Sequence, residues 1–236
     1  MQKMQDKARP VPGLFVSWEQ ALAHLSQKSE VLARLAQRYR ARPEAPLGLA
    51  GGTFMALCAQ QISNKAFETV RGRIFNRLLV TNWTDAASAL MQLHVNQRVH
   101  TLNQCGVNLR KSKALLEVFS YLESRTWTQE YFLALSNEQA QSELTKIYGI
   151  GPWSAQMILI FGLDRPDVWP QADYGIRTAL SRVVFPYKRA DAPLPKALPD
   201  TVQLLVSSWA PYRSAAALLL WRSLENGSSD KTVDPI

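Results

Sequence analysis

Cysteine is nearly missing from this 236-residue chain: only Cys58 and Cys105 occur, far apart in sequence. Two thiols cannot build a disulfide scaffold, an all-cysteine zinc site or an iron–sulfur cluster held by four thiolates, so two free buried thiols are expected. Long apolar runs are missing too. The longest, around Met157–Phe161 and Ala215–Trp221, stop far short of the ~18 to 20 residues of a membrane span, and no membrane partner is expected. No apolar stretch follows the charges of Met1–Pro10, which excludes a secretory signal of the usual form. A cytoplasmic location is expected, or a nuclear one in a eukaryote, with residues 1–13 as a loose tail. Acidic residues are in deficit: 27 Lys and Arg face 19 Asp and Glu, the net charge is +8 and the isoelectric point is near 9.7. That balance favours a polyanionic partner, nucleic acid first.

Hydrophobic residues make up 47% of the chain and charged residues 19%, enough apolar surface to offset chain entropy in one or two domains. Apolar residues recur at helical rather than alternating intervals, as in Leu115, Leu116, Val118, Phe119 and Leu122. The fold class is therefore all-α. Helices are expected at roughly 17–26, 29–41, 53–62, 64–80, 84–92, 95–103, 109–124, 128–134, 137–146, 152–162, 174–184, 198–208 and 212–225. Ser136 and Gln139 have the spacing of a capping box, and Pro152 and Pro211 sit where a first helical turn accepts a residue without an N–H. Pro- and Gly-bearing connections at 42–52 and 164–170 delimit a central bundle over 49–164. The flanks, 14–48 and 165–236, are each short for a core of their own and are expected to pack together as one discontinuous domain. A crevice between the two units is the natural site. The prolines of 185–200 predict an irregular loop.

Gly149-Ile150-Gly151, between a helix ending near Lys146 and one opening at Pro152, predicts a helix, a hairpin and a helix. Gly149 and Gly151 allow positive φ and close backbone approach, and the amides opening the next helix suit one phosphate. An ordinary helical hairpin with a glycine cap is the alternative. About twenty residues on, Asp173 opens another helix, either as its N-cap or as a carboxylate with chemistry to do.

Together the hairpin and Asp173 resemble the signature of the helix-hairpin-helix base-excision DNA glycosylases, over about residues 50–225. Phe54–Ser63, Gly106–Lys113 and Trp209–Arg222 are most similar to the alkylation-repair branch, bacterial 3-methyladenine DNA glycosylase II and its fungal relatives. The resemblance implies a two-domain helix-hairpin-helix fold with the active site in the interdomain cleft. It implies that Asp173 is the essential carboxylate, stabilising the sugar cation or orienting water. Trp153 stands where the lyase members carry a lysine nucleophile, which implies a monofunctional enzyme. Trp153, Met157, Trp221, Gln60 and Tyr174 map to the base pocket, and Gln61 to the wedge that fills the gap left by an extruded nucleotide. Gly149, Gly151, Ser154, Lys113 and Arg213 map to DNA contacts, and the backbone carbonyls of Thr145, Ile147 and Ile150 to a structural monovalent cation. No cofactor is required; the partner is duplex DNA containing alkylated bases, and the protein acts as a monomer.

Arg98, His100, Arg110, Lys111 and Arg222 either meet phosphates as well or form a solvated basic face. Tyr148, Ala172 and Met157 depart from the family pattern: a proline is common at the first position, an acidic residue occurs at the second, and an aromatic is frequent at the third. Some fifty residues ahead of the motif region are too few for the separate N-terminal domain of the larger bacterial enzymes. Two other readings remain open: a non-catalytic helix-hairpin-helix DNA-binding protein, and an oxidised-base glycosylase that also cuts the strand.

Overall fold

The computed structural model of the protein describes residues 17–42, 46–184 and 193–225. The expected tail over 1–13 and most of the loop over 185–200 lie outside these residues. Those described form thirteen α-helices and no strand: α1 (Trp18–Lys28), α2 (Glu30–Arg38), α3 (Gly48–Ala59), α4 (Asn64–Leu78), α5 (Trp83–Gln92), α6 (Val95–Gln104), α7 (Leu109–Glu123), α8 (Gln129–Ala134), α9 (Asn137–Leu144), α10 (Pro152–Met157), α11 (Tyr174–Val184), α12 (Asp200–Ser208) and α13 (Arg213–Glu225).

Local chemistry sets the starts. Ser17, Ser29, Ser63, Asn82, Asn108, Thr128 and Ser136 each stand in extended backbone ahead of a helix and accept an amide of its first turn, one of the donors that the helix cannot satisfy itself. At Ser136 the expected capping box is complete: its hydroxyl accepts the Gln139 amide at 3.2 Å, and its own amide donates to the Gln139 side chain at 2.8 Å. Pro152 is the first residue of α10, whereas Pro211 lies two residues ahead of α13.

α3 is apolar all round and is therefore the central helix, packed by α4, α5, α7 and α10. Trp83 anchors its flank, with ring centroids 5.2 Å from Phe54, 5.8 Å from Phe67 and 5.1 Å from Phe75. On the other side of the molecule α1, α2 and α11 pack with α13.

Two elements differ from expectation for one reason. Residues 48–52, expected as part of a connection, form the first turn of α3. The helix expected over 152–162 divides into α10 and a π-helical turn, Ile158–Gly162, where the Leu163 amide reaches back five residues to the Ile158 carbonyl at 3.0 Å. The two cross backbone to backbone. A Cβ on Gly52 would lie 2.4 Å from the Gly162 Cα, and one on Gly162 2.9 Å from the Gly48 carbonyl oxygen. The Leu47 amide then donates to the Phe161 carbonyl at 2.8 Å. Side-chain periodicity carries no sign of this crossing, because the contact is made where side chains are missing.

Both cysteines are free and buried. Burial pushes the Cys58 thiol up to about 12 from 9.0. Its protonated form is favoured by folding, so this contribution to stability is present below the unfolded value and is lost as pH rises toward the folded one. At pH 8 neither thiol is expected to react with an aromatic disulfide reagent until denaturant is added, and both then react; rapid labelling of the native chain at Cys58 would contradict this burial.

Candidate active site

Asp173 closes the connection after the π-helical turn and caps α11, its Oδ1 accepting the Ile176 amide at 2.8 Å. Two further donors reach the same carboxylate. Trp153, in the first turn of α10, donates its indole N–H to Oδ2 at 2.7 Å, and Trp221, on α13, donates to Oδ1 at 2.9 Å. The group is half-buried, and among the described residues no Lys or Arg forms an ion pair with it. One face of Trp221 stacks on Phe161, centroids 5.7 Å apart and planes at 27°. Tyr174, beside Asp173, is 63% exposed. Three helices thus converge on one carboxylate that stays open to solvent.

The hairpin closes against this cluster. Gly149 has φ +105°, and a Cβ there would meet the Ala114 Cβ at 3.0 Å, so both conformation and space require glycine. Gly151 does not use positive φ: it is extended at φ −92°, with no atom within 4 Å of where a Cβ would stand. Of the carbonyls mapped to a cation, that of Ile147 accepts the Ile150 amide at 3.0 Å inside the turn.

The two adjacent glutamines part company. Gln60, expected in the base pocket, turns into the hairpin and donates to the Gly149 carbonyl at 2.8 Å and the Ser154 hydroxyl at 2.7 Å. Ser154, expected at DNA, is 2% exposed and serves as that acceptor. Gln61 is exposed in the left-handed region at φ +53°. Lys111 reaches under the same turn, its ammonium donating to the carbonyls of Cys58 at 3.2 Å and Gln60 at 2.8 Å; burial holds it below the ordinary lysine value.

Other expected contacts are placed elsewhere. Met157 is buried in the core. Arg213 makes a two-pronged bond to Asp167 at 2.7 and 2.8 Å, a partner that raises its pKa. Arg98 is buried against the Leu93 and Met91 carbonyls and Glu123, and Arg222 donates to the Ala41 carbonyl. Lys113 remains exposed, and Arg110 lies over the ring of Tyr148, 5.3 Å from its centroid, with Tyr148 itself 74% exposed.

A groove of about 700 Å³ on another flank of the hairpin is lined by Glu138, Gln141, Pro152, Gln156, Trp169 and Arg213 among others, but not by Asp173. The half-buried Asp173 carboxylate thus lies outside this groove. Among the described residues, no three or more His, Cys, Asp or Glu gather as a metal site, and no helix is long and apolar enough to cross a membrane.

No protein-family model matches the chain. DNA-3-methyladenine glycosylase 1 of Schizosaccharomyces pombe is 31% identical over 183 residues, covering 76% of this chain and 74% of that protein. The chain belongs to the DNA-3-methyladenine glycosylase family. A solved structure of the Schizosaccharomyces pombe 3-methyladenine DNA glycosylase in complex with abasic DNA superposes with a TM-score of 0.68 at 26% identity, over 90% of this chain and all of that one. The Archaeoglobus fulgidus 3-methyladenine DNA glycosylase shares the fold, with a TM-score of 0.66 at 20% identity, over 88% of this chain and 70% of that one. A Bacillus subtilis relative is 33% identical over 118 residues, and the match spans only 39% of its length. The all-α helix-hairpin-helix glycosylase fold expected from the sequence is the fold of this family member.

Two features of the site were not read from the sequence: the indole N–H groups as donors to Asp173, and Gly175. The second left a signal. A glycine in the first turn of a helix, two residues after the cap, is a poor helix former without an evident turn to make.

Proposed function

We propose that this protein is a monofunctional DNA glycosylase that turns alkylated purines out of duplex DNA and hydrolyses the N-glycosidic bond, leaving an abasic site. The observation that carries the reading is the half-buried Asp173 carboxylate, unpaired by any described cation and fixed by three neutral donors, one of them from the helix that the hairpin opens. As the bond to the base breaks, positive charge grows on the sugar, and a preset negative charge beside it lowers that barrier without reorganising. Water completes the reaction, since the position of the lyase lysine is held by Trp153. The neighbouring lysines are engaged elsewhere: Lys146 pairs with Glu143 and Lys111 binds two carbonyls.

The arrangement favours bases that already carry charge. N3-methyladenine and N7-methylguanine are cationic and labile, so they leave without a general acid. Their charge also gains ~0.5 to 2 kcal/mol over an indole face. Duplex contact is assigned to the Gly149–Gly151 hairpin with the amides opening α10, to Gln61 as the wedge and to Lys113. The carbonyls of Thr145, Ile147 and Ile150 would hold a monovalent cation, which neutral oxygens suit, and it would brace the turn. The packing of α1, α2 and α11 on α13 supports a division into 14–48 plus 165–236 and 49–164; we further propose that the protein acts as a monomer.

The test is release of base from matched duplexes carrying one 3-methyladenine, 7-methylguanine, hypoxanthine, ethenoadenine or 8-oxoguanine. The cationic bases are expected to leave fastest and 8-oxoguanine hardly at all, with product strands that break only in alkali and no adduct trapped by borohydride. A preference for 8-oxoguanine, or a trapped adduct, would move the protein to the oxidised-base branch.

A further inference from the structure

We infer that Trp153 and Trp221 are positioning residues that aim the Asp173 carboxylate through their indole N–H groups, and that Gly175 completes this clamp by giving Trp221 room to reach it. The inference rests on the assignment of Asp173 to the reacting sugar.

An aspartate that only caps a helix is loosely aimed. One oxygen takes the amide, here that of Ile176, while rotation about the last side-chain bond is soft and leaves the other oxygen to drift. In this site the second oxygen is caught by Trp153 at 2.7 Å, and the first receives Trp221 at 2.9 Å from the opposite helix. Three donors on α10, α11 and α13 fix the plane of the carboxylate. All three are neutral. An arginine would orient the group as well, but its charge would cancel the field that the sugar cation needs; an N–H dipole orients it and leaves the charge in place.

Space confirms that the contact is built. A Cβ at position 175 would stand 3.1 Å from Cδ1 and 3.3 Å from Nε1 of Trp221, and 3.2 Å from Asp173 Oδ1, so a side chain there presses on both members of the bond. Gly175 sits in helical backbone, where glycine is otherwise a poor choice, and a side chain there would have to displace Trp221 or Asp173 by a few tenths of an ångström. Trp221 is held from behind as well by Phe161, which covers one ring face.

Phenylalanine keeps most of the ring and removes the N–H, so Trp153→Phe and Trp221→Phe separate aiming from stacking. We expect each to slow single-turnover release of 7-methylguanine from a defined duplex by about 10- to 100-fold, the factor that one hydrogen bond to a charged group corresponds to. Affinity for a duplex with a tetrahydrofuran abasic analogue should stay within about twofold. Gly175→Ala should reproduce the effect of Trp221→Phe, and its combination with Trp221→Phe should add little. Release at the wild-type rate in both phenylalanine variants, or equal losses in rate and affinity, would overturn the clamp.

A second readout needs no activity. In ¹⁵N–¹H spectra of the whole protein, two indole resonances should move in Asp173→Asn, and the Trp221 resonance should move in Gly175→Ala. Unmoved indoles refute the clamp. If the wild-type protein releases no methylated base yet these resonances shift as stated, the clamp stands and the assignment of Asp173 to a sugar fails.

Discussion

Asp173→Asn is expected to lower base release about 10³-fold, the scale on which removing one preset electrostatic group acts, while duplex affinity changes little. Asparagine keeps the size of the side chain and one oxygen for the Ile176 amide, so α11 remains capped. What it loses is the charge, together with one indole bond, because an amide NH₂ in place of Oδ2 faces the Trp153 N–H and sets donor against donor. Single-turnover release with enzyme in excess measures the first effect, and anisotropy on an abasic-analogue duplex the second. An unchanged release rate would remove Asp173 from the chemistry. A variant that fails to bind and melts early would leave the aspartate as a cap and nothing more.

Gly52→Ala is expected to be the most damaging glycine-to-alanine change among the described residues. The added carbon would lie 2.4 Å from the Cα of Gly162, a backbone atom that no rotamer change can move aside. The crossing of α3 with the π-helical turn must open, and with it the Leu47 to Phe161 bond and the packing of the central helix. Overpacking against fixed backbone costs about 3 kcal/mol or more, a large part of the ~5 to 15 kcal/mol that holds a domain folded. At ~2 to 4 °C per kcal/mol for a chain of this size, the melting temperature should fall by about 10 °C. Gly72→Ala is the control: it lies inside α4 with no atom within 4 Å of the new carbon, and it should melt with or slightly above the wild type. Equal melts for the two variants would mean that the crossing yields.

How far the sequence could be read follows from where each contact is made. Helix order was legible because amphipathic spacing and cap residues such as Ser136 and Asn108 act within one or two turns. The cap at Asp173 was legible from its place at the start of a helix. The inward turn of Gln60 was not, since identical side chains in adjacent positions differ only in backbone: one follows the end of α3 toward Ser154, and the other adopts φ +53° and is exposed. Lys111, Arg98 and Arg213 carry charge that suits phosphate, yet each meets partners 5 to 53 residues away that no local pattern reveals. Gly52 and Gly162 give no local sign of their purpose, a close approach between segments about a hundred residues apart. Short-range order can be inferred from short-range spacing; convergence of distant backbone cannot.

The turn that presents Gln61 is tied on both sides, by Lys111 to the carbonyls of Cys58 and Gln60 and by Gln60 to the hairpin. If Gln61 is the wedge, the protein meets DNA as a stiff die and cannot yield to the duplex. The elastic work of bending and unstacking then falls on the nucleic acid alone, and its magnitude is set by the local base steps. Lesions flanked by easily kinked pyrimidine–purine steps should therefore be engaged sooner than the same lesions in rigid A-tracts, a bias written into the mechanics of DNA with no base contact to encode it.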